Sequence, residues 1–109
     1  MKESELERIL VEEVRKVGGI AYKWISPGND GVPDRIVILP PDVVCFVELK
    51  ADRGHLSPMQ KIQISRMRNL GADVRVVKGM SGLIEFFRSM GYYKRISQKL
   101  QERYLEETK

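Results

Sequence analysis

Apolar residues recur at helical spacing over residues 4–17, where Leu6, Ile9, Leu10, Val14 and Val17 share one stripe and Gly18-Gly19 closes the run. This pattern predicts an amphipathic helix. The period then shortens. "IAYKWI" (20–25), "DRIVIL" (34–39) and "VVCFVELK" (43–50) are rich in β-branched and aromatic residues and read as strands. A turn-rich loop, "SPGNDGVP" (26–33), separates the first two, and Pro40-Pro41-Asp42, which cannot continue a ladder, separates the second from the third. An antiparallel meander is expected. Helical character returns over 56–71, with Ser57 as N-cap, Pro58 at the first helical position, Gln60 at the capping-box position and Gly71 at the end. "ADVRVVK" (72–78) is a further strand, and the helical crossover before it predicts parallel pairing with its predecessor. "SGLIEFFRSMG" (81–91) predicts a third helix. The tail carries Tyr93, Ile96, Leu100 and Tyr104 on one stripe and is expected to be helical, docking on this core or on another subunit. The expected class is α/β: a small mixed β-sheet, an antiparallel meander plus one parallel strand, flanked by helices.

Composition narrows the chemistry more than the fold. At 109 residues the chain holds one core, given that domains usually run about 100–150 residues. Residues 1–90 are expected to form that domain and 91–109 a helical extension of it. A single cysteine, Cys45, excludes an internal disulfide and a cysteine zinc cage, and its apolar strand predicts a buried, inert thiol. The single histidine, His55, excludes multi-histidine metal chemistry. No apolar run approaches the roughly 18 residues of a membrane span, and the acidic start lacks a secretory h-region, so a cytoplasmic protein is expected. A net charge of +4 is compatible with a polyanionic partner.

Three charged residues stand where the strands should be apolar. With a turn centred on Pro41, residue 38 faces 44, 36 faces 46 and 34 faces 48. Side chains alternate along a strand, so Asp34, Ile36, Ile38, Val44, Phe46, Glu48 and Lys50 share one face. Asp34 then confronts Glu48 with Cβ atoms roughly 4.5–5.5 Å apart. Two buried carboxylates that close repel unless a cation lies between them. All-oxygen ligation suits a hard ion, so magnesium or manganese is expected, with Lys50 beside it to orient or deprotonate a water, or to meet charge developing on a phosphate. Against this stands a plainer reading, in which Asp34 belongs to a Pro-Asp turn and Glu48 and Lys50 are strand-end charges.

"GVPD", thirteen residues, then "ELK" resembles the PD-(D/E)XK nuclease signature. The longer stretch "GGIAYKWISPGNDGVPDRIVILP…FVELKADRGHLSPMQ" is similar in particular to the VRR-NUC (virus-type replication-repair nuclease) family, over roughly residues 3–80. The resemblance implies a restriction-endonuclease-like core and a magnesium- or manganese-dependent DNA endonuclease acting on branched DNA. Small stand-alone members of that family are dimers that cut four-way junctions. By motif match, Asp34 and Glu48 would bind the metal, the backbone carbonyl of Leu49 would join them, and Lys50 would serve the attacking water. Gln60 matches the family's helix glutamine, although with Ser57 it also makes a capping box, and both roles stay open. The family draws a further glutamate from the first helix. Glu3 and Glu7 both fit the E-x-x-L-x-x-x-[LV] setting, with Glu7 preferred for its distance from the Gly18 turn.

Phosphate contacts are expected from among Lys23, Arg35, Lys61, Arg66, Arg68 and the "ADRGH" loop, with the glycine-rich loop 26–32 admitting a strand to its amides. No base-reading element is visible, so shape recognition is expected. Paired cuts in a two-fold junction require two sites, hence a C2 homodimer, with the tail stripe and "LIEFF" as candidate interface surfaces. The competing readings are a less selective nicking or flap nuclease and a non-catalytic nucleic-acid-binding module.

Overall fold

The computed structural model describes residues 1–107, except for the side chains of Tyr93, Tyr104 and Glu107. The elements run α1 (Glu3–Lys16), β1 (Ile20–Lys23), β2 (Arg35–Leu39), β3 (Val43–Lys50), α2 (Pro58–Asn69), β4 (Val74–Lys78) and α3 (Gly79–Ser89), then a 3-10 turn (Tyr93–Arg95) and α4 (Gln98–Glu107). One four-stranded sheet has the order β1-β2-β3-β4. Its first three strands form the antiparallel meander, and β4 joins β3 in parallel after the α2 crossover.

The hairpin register is the one the sequence predicts: Ile36 lies opposite Phe46 and Ile38 opposite Val44, about a turn whose Pro40-Pro41 peptide is cis. The opposite face fixes this register. There Val37, Leu39, Cys45, Val47 and Leu49 are fully buried against Leu6, Leu10 and Val14 of α1 and Leu83 and Phe87 of α3. A buried aliphatic side chain contributes about 1.5–3 kcal/mol, and a one-residue slip would turn all of them to the other side at once. The chemistry-bearing face is thus specified by the packing of the face behind it.

α2 lies over that second face at the β4 side, where Ile64 and Gln63 are buried. Its start is built as expected. Ser57 Oγ accepts from the Gln60 amide at 3.2 Å, Gln60 Oε1 accepts from the Ser57 amide at 2.9 Å, and Pro58 stands at the first helical position.

The loop between β1 and β2 is seated against α2. Gly31, at φ +86°, lies so close to α2 that a Cβ would stand 2.7 Å from the Met59 carbonyl. Gln63 Nε2 donates to the Asp30 carbonyl at 3.2 Å. Glycine at 31 lets the loop seat against the helix backbone.

The tail differs from a single helical stripe. A 3-10 turn and an extended Ile96 (ψ 166°) interrupt it before α4 begins. Ile96 and Leu100 nevertheless bury in this chain's own core, and Glu13 of α1 accepts the Ser97 amide at 2.8 Å. The side chains of Tyr93 and Tyr104, assigned to the same stripe, lie outside the described ones. Leu83, Ile84, Phe86 and Phe87 are buried as well, so the apolar residues of "LIEFF", with Ile96 and Leu100, belong to the core of this chain. Among the described residues, no helix is long and apolar enough to cross a membrane.

Two left-handed glycines of this loop separate strain from collision. Alanine at Gly28, where no atom lies within 4 Å of the added Cβ, is expected to cost about 1–2 kcal/mol in urea unfolding. At Gly31 a further ~1–3 kcal/mol is expected from the clash with Met59. Equal losses at the two positions would contradict the seating of the loop on α2.

Candidate metal centre

Asp34 stands at the entrance of β2 and Glu48 two residues before the end of β3, so the hairpin brings them to one end of the sheet. Glu48 is almost completely enclosed, 1% exposed. Its Oε2 accepts from Gln60 Nε2 at 3.1 Å and lies 3.6 Å from Lys50 Nζ. Its Oε1 is buried and has no hydrogen-bond partner among the described residues. Asp34 is oriented through the backbone, its Oδ2 accepting from the Leu49 amide at 2.9 Å. Gln60 thus completes the helix cap with one amide end and holds Glu48 with the other.

The acid of α1 that joins the pair is Glu3. Carboxylate oxygens of Glu3, Asp34 and Glu48 all lie within 4.8 Å of one another. Glu7, preferred on sequence grounds, instead meets Arg35, with Nε to Oε2 at 3.0 Å, and lies 3.9 Å from Lys23 Nζ. The reason is geometric. Arg35 points to the α1 face of the sheet, opposite to its neighbour Asp34, and claims the carboxylate it finds there. One helical turn earlier, Glu3 reaches past the sheet end to the other face.

Three acids converging on one point, one of them with an orphaned buried oxygen, make a donor set fitted to a hard divalent cation. Burial first, then the adjacent Asp34 charge, pushes the Glu48 carboxyl up to about 8, with Lys50 opposing. Two ionised carboxylates this close, one of them buried, are costly, and a cation in place of the proton relieves both the repulsion and the lost solvation.

Other expected residues fall elsewhere. Arg68 spends Nε and Nη2 on the Val74 carbonyl, at 3.1 and 2.7 Å, and Arg35 donates Nη1 to the Ala21 carbonyl at 3.1 Å, so both brace the fold. Lys23, Arg53, Lys61 and Arg66 are exposed, as is His55. Burial pushes the Cys45 thiol up to about 11, with Asp73 adding to the shift, and the thiol is inert as expected. Gln63 escaped sequence reasoning. Its signal was its place one turn beyond Gln60 on the same helix flank.

Comparison with known proteins bears on this geometry. The sequence model of the VRR-NUC domain family matches residues 2–81. The chain is similar to "Putative nuclease p44" of Acyrthosiphon pisum secondary endosymbiont phage 1, with 48% identity over 77 residues that span 71% of this chain and 83% of that protein. A solved structure described as "VRR_NUC domain" superposes with a TM-score of 0.74 at 31% identity, covering 79% of this chain and 94% of the other.

The raised Glu48 carboxyl has a measurable sign. Its folded value of about 8 lies above the ordinary value of 4.5, so between these the native state holds the extra proton. Its stabilising contribution is complete below about pH 4.5 and is lost as pH rises through about 8. In chelator, Glu48→Gln is therefore expected to gain stability relative to wild type as pH goes from about 5 to about 8.5, followed by chemical denaturation. A difference that does not change with pH would contradict the assignment. At pH 7, manganese binding should release close to one proton, seen as a buffer-dependent enthalpy in calorimetry.

Proposed function

Because the chain belongs to the VRR-NUC domain family, we propose that it is a divalent-metal-dependent endonuclease that hydrolyses DNA phosphodiesters at branched structures, the four-way junction first among them. The observation that carries this reading is the orphaned Glu48 oxygen, buried beside Asp34 and Glu3 at an open sheet end.

In this reading Asp34, Glu48 and Glu3 hold magnesium or manganese. The bound ion would polarise a phosphate oxygen and lower the pKa of a ligated water. Lys50, 3.6 Å from Glu48 Oε2, orients the attacking water or meets charge developing on the phosphate. Gln60 keeps Glu48 in one rotamer and so keeps its free oxygen aimed at the site. Leu49 is expected to add its carbonyl as a further ligand. Its amide already faces Asp34, and the amide and carbonyl of an extended residue turn to the same side.

Exposed Lys23, Arg53, Lys61 and Arg66 supply phosphate contacts, which bind DNA by charge and shape. Junction resolution takes two cuts related by a two-fold axis, so the active species is a C2 homodimer. It works in the cytoplasm of a bacterium or of a phage-infected host cell.

The test is cleavage of labelled four-way junction, flap and linear duplex, with and without manganese. Cleavage of the junction by wild type plus metal is expected, and Asp34→Asn or Glu48→Gln should lose at least about a hundredfold in rate. Equal rates on all three substrates would remove the junction assignment. Full activity of Glu48→Gln would remove the nuclease mechanism as a whole.

A further inference from the structure

Glu3 occupies a demanding position with little to hold it there. Its side chain is exposed, and among the described residues no hydrogen bond or ion pair fixes its carboxylate. Where Glu3 sits relative to Asp34 is therefore decided by where the first turn of α1 sits relative to the sheet. Leu6 and Leu10 set the rotation of the helix, since both are fully buried on the α1 face of the sheet. Apolar packing of this kind constrains sliding along the helix axis less sharply, because the contact surface is continuous.

A polar brace supplies what that packing lacks. Glu7 stands one turn beyond Glu3, and its carboxylate receives Arg35 Nε at 3.0 Å. Arg35 is anchored in turn by Nη1 on the Ala21 carbonyl of β1 at 3.1 Å. Both side chains are mostly shielded, at 23% and 17% exposure, so the pair is screened less than a surface ion pair. Arg35 also follows Asp34 directly in the chain. One backbone unit thus presents Asp34 to the candidate metal centre on one face and grips α1 on the other. Two further ties at this end, Lys23 Nζ to Glu7 and the Met1 amine to Asp52, each span 3.9 Å with Lys23 60% and Asp52 59% exposed, and contribute little.

We propose that Glu7 and Arg35 are positioning residues: they clamp the first turn of α1 to the strand that carries Asp34, and so set the distance from Glu3 to the Asp34–Glu48 pair. The inference rests on Glu3 being a cation ligand. Glu7 also keeps the Arg35 guanidinium occupied on the α1 face, away from the carboxylates a cation needs.

A double-mutant cycle read by manganese affinity, on the full chain without DNA, tests this. Glu7→Ala is expected to weaken binding about tenfold in the wild-type background and to change nothing further once Glu3→Gln is present. Glu7→Gln, which retains an acceptor for Arg35 Nε, should stay within about threefold of wild type. Additive losses in the two backgrounds, or a Glu7→Gln loss as large as that of Glu7→Ala, would overturn the clamp and make Glu7 a direct electrostatic contributor. Unchanged affinity in Glu3→Gln alone would instead remove the reading of Glu3 as a ligand, and the clamp with it. Arg35→Ala should match Glu7→Ala in affinity and likewise lose its effect in Glu3→Gln, an outcome that general destabilisation does not produce.

Discussion

Asp34 and Glu48 are brought face to face by a hairpin whose register is set mainly from the opposite side of the sheet. Their proximity is imposed by Val37, Leu39, Cys45, Val47 and Leu49 on the reverse of the sheet, where any slip would expose a row of buried aliphatic side chains. The remaining features of the site answer the electrostatic problem thereby created. Gln60 donates to one Glu48 oxygen, the Leu49 amide satisfies one Asp34 oxygen, Lys50 offsets part of the charge, and Glu48 Oε1 has no hydrogen-bond partner among the described residues. Such a site is maintained against its own preference by packing energy stored elsewhere, a common arrangement where chemistry is performed.

Strand alternation divides the labour with little waste. Odd-numbered positions of β2 and β3 build the core with α1 and α3, while even-numbered positions carry the acids at one end and apolar side chains at the other. α2 covers half of this second face and delivers two glutamines one turn apart. Gln60 holds Glu48, and Gln63 holds the loop that leads into Asp34. A single helix thus governs both members of the pair, so displacement of α2 would loosen them together.

Much of this was legible in the residues. The two prolines at 40 and 41 leave few ways to turn, so the register of β2 and β3 could be counted out, and the acid pair followed from it. The Ser57–Pro58–Gln60 signature marked the start of α2 because capping is a local interaction. What local patterns do not carry is translation of one element past another. Glu3 and Glu7 share a helix flank and a sequence setting, and about 6 Å of axial rise separates them. The decisive clue was Arg35, which strand alternation sends to the α1 face, where it requires an acid. The seating of Gly31 was hidden for a similar reason, since nothing in a turn-rich loop reveals that a helix backbone lies against it. The tail's apolar stripe was correct at Ile96 and Leu100, but the break between them arises from Glu13, distant in sequence, capturing the Ser97 amide.

The most direct measurement is anomalous diffraction from crystals grown with manganese. A single strong peak is predicted at about 2.1 Å from oxygens of Asp34, Glu48 and Glu3. A fully occupied manganese site elsewhere on the molecule, with none beside Asp34 and Glu48, would contradict the account.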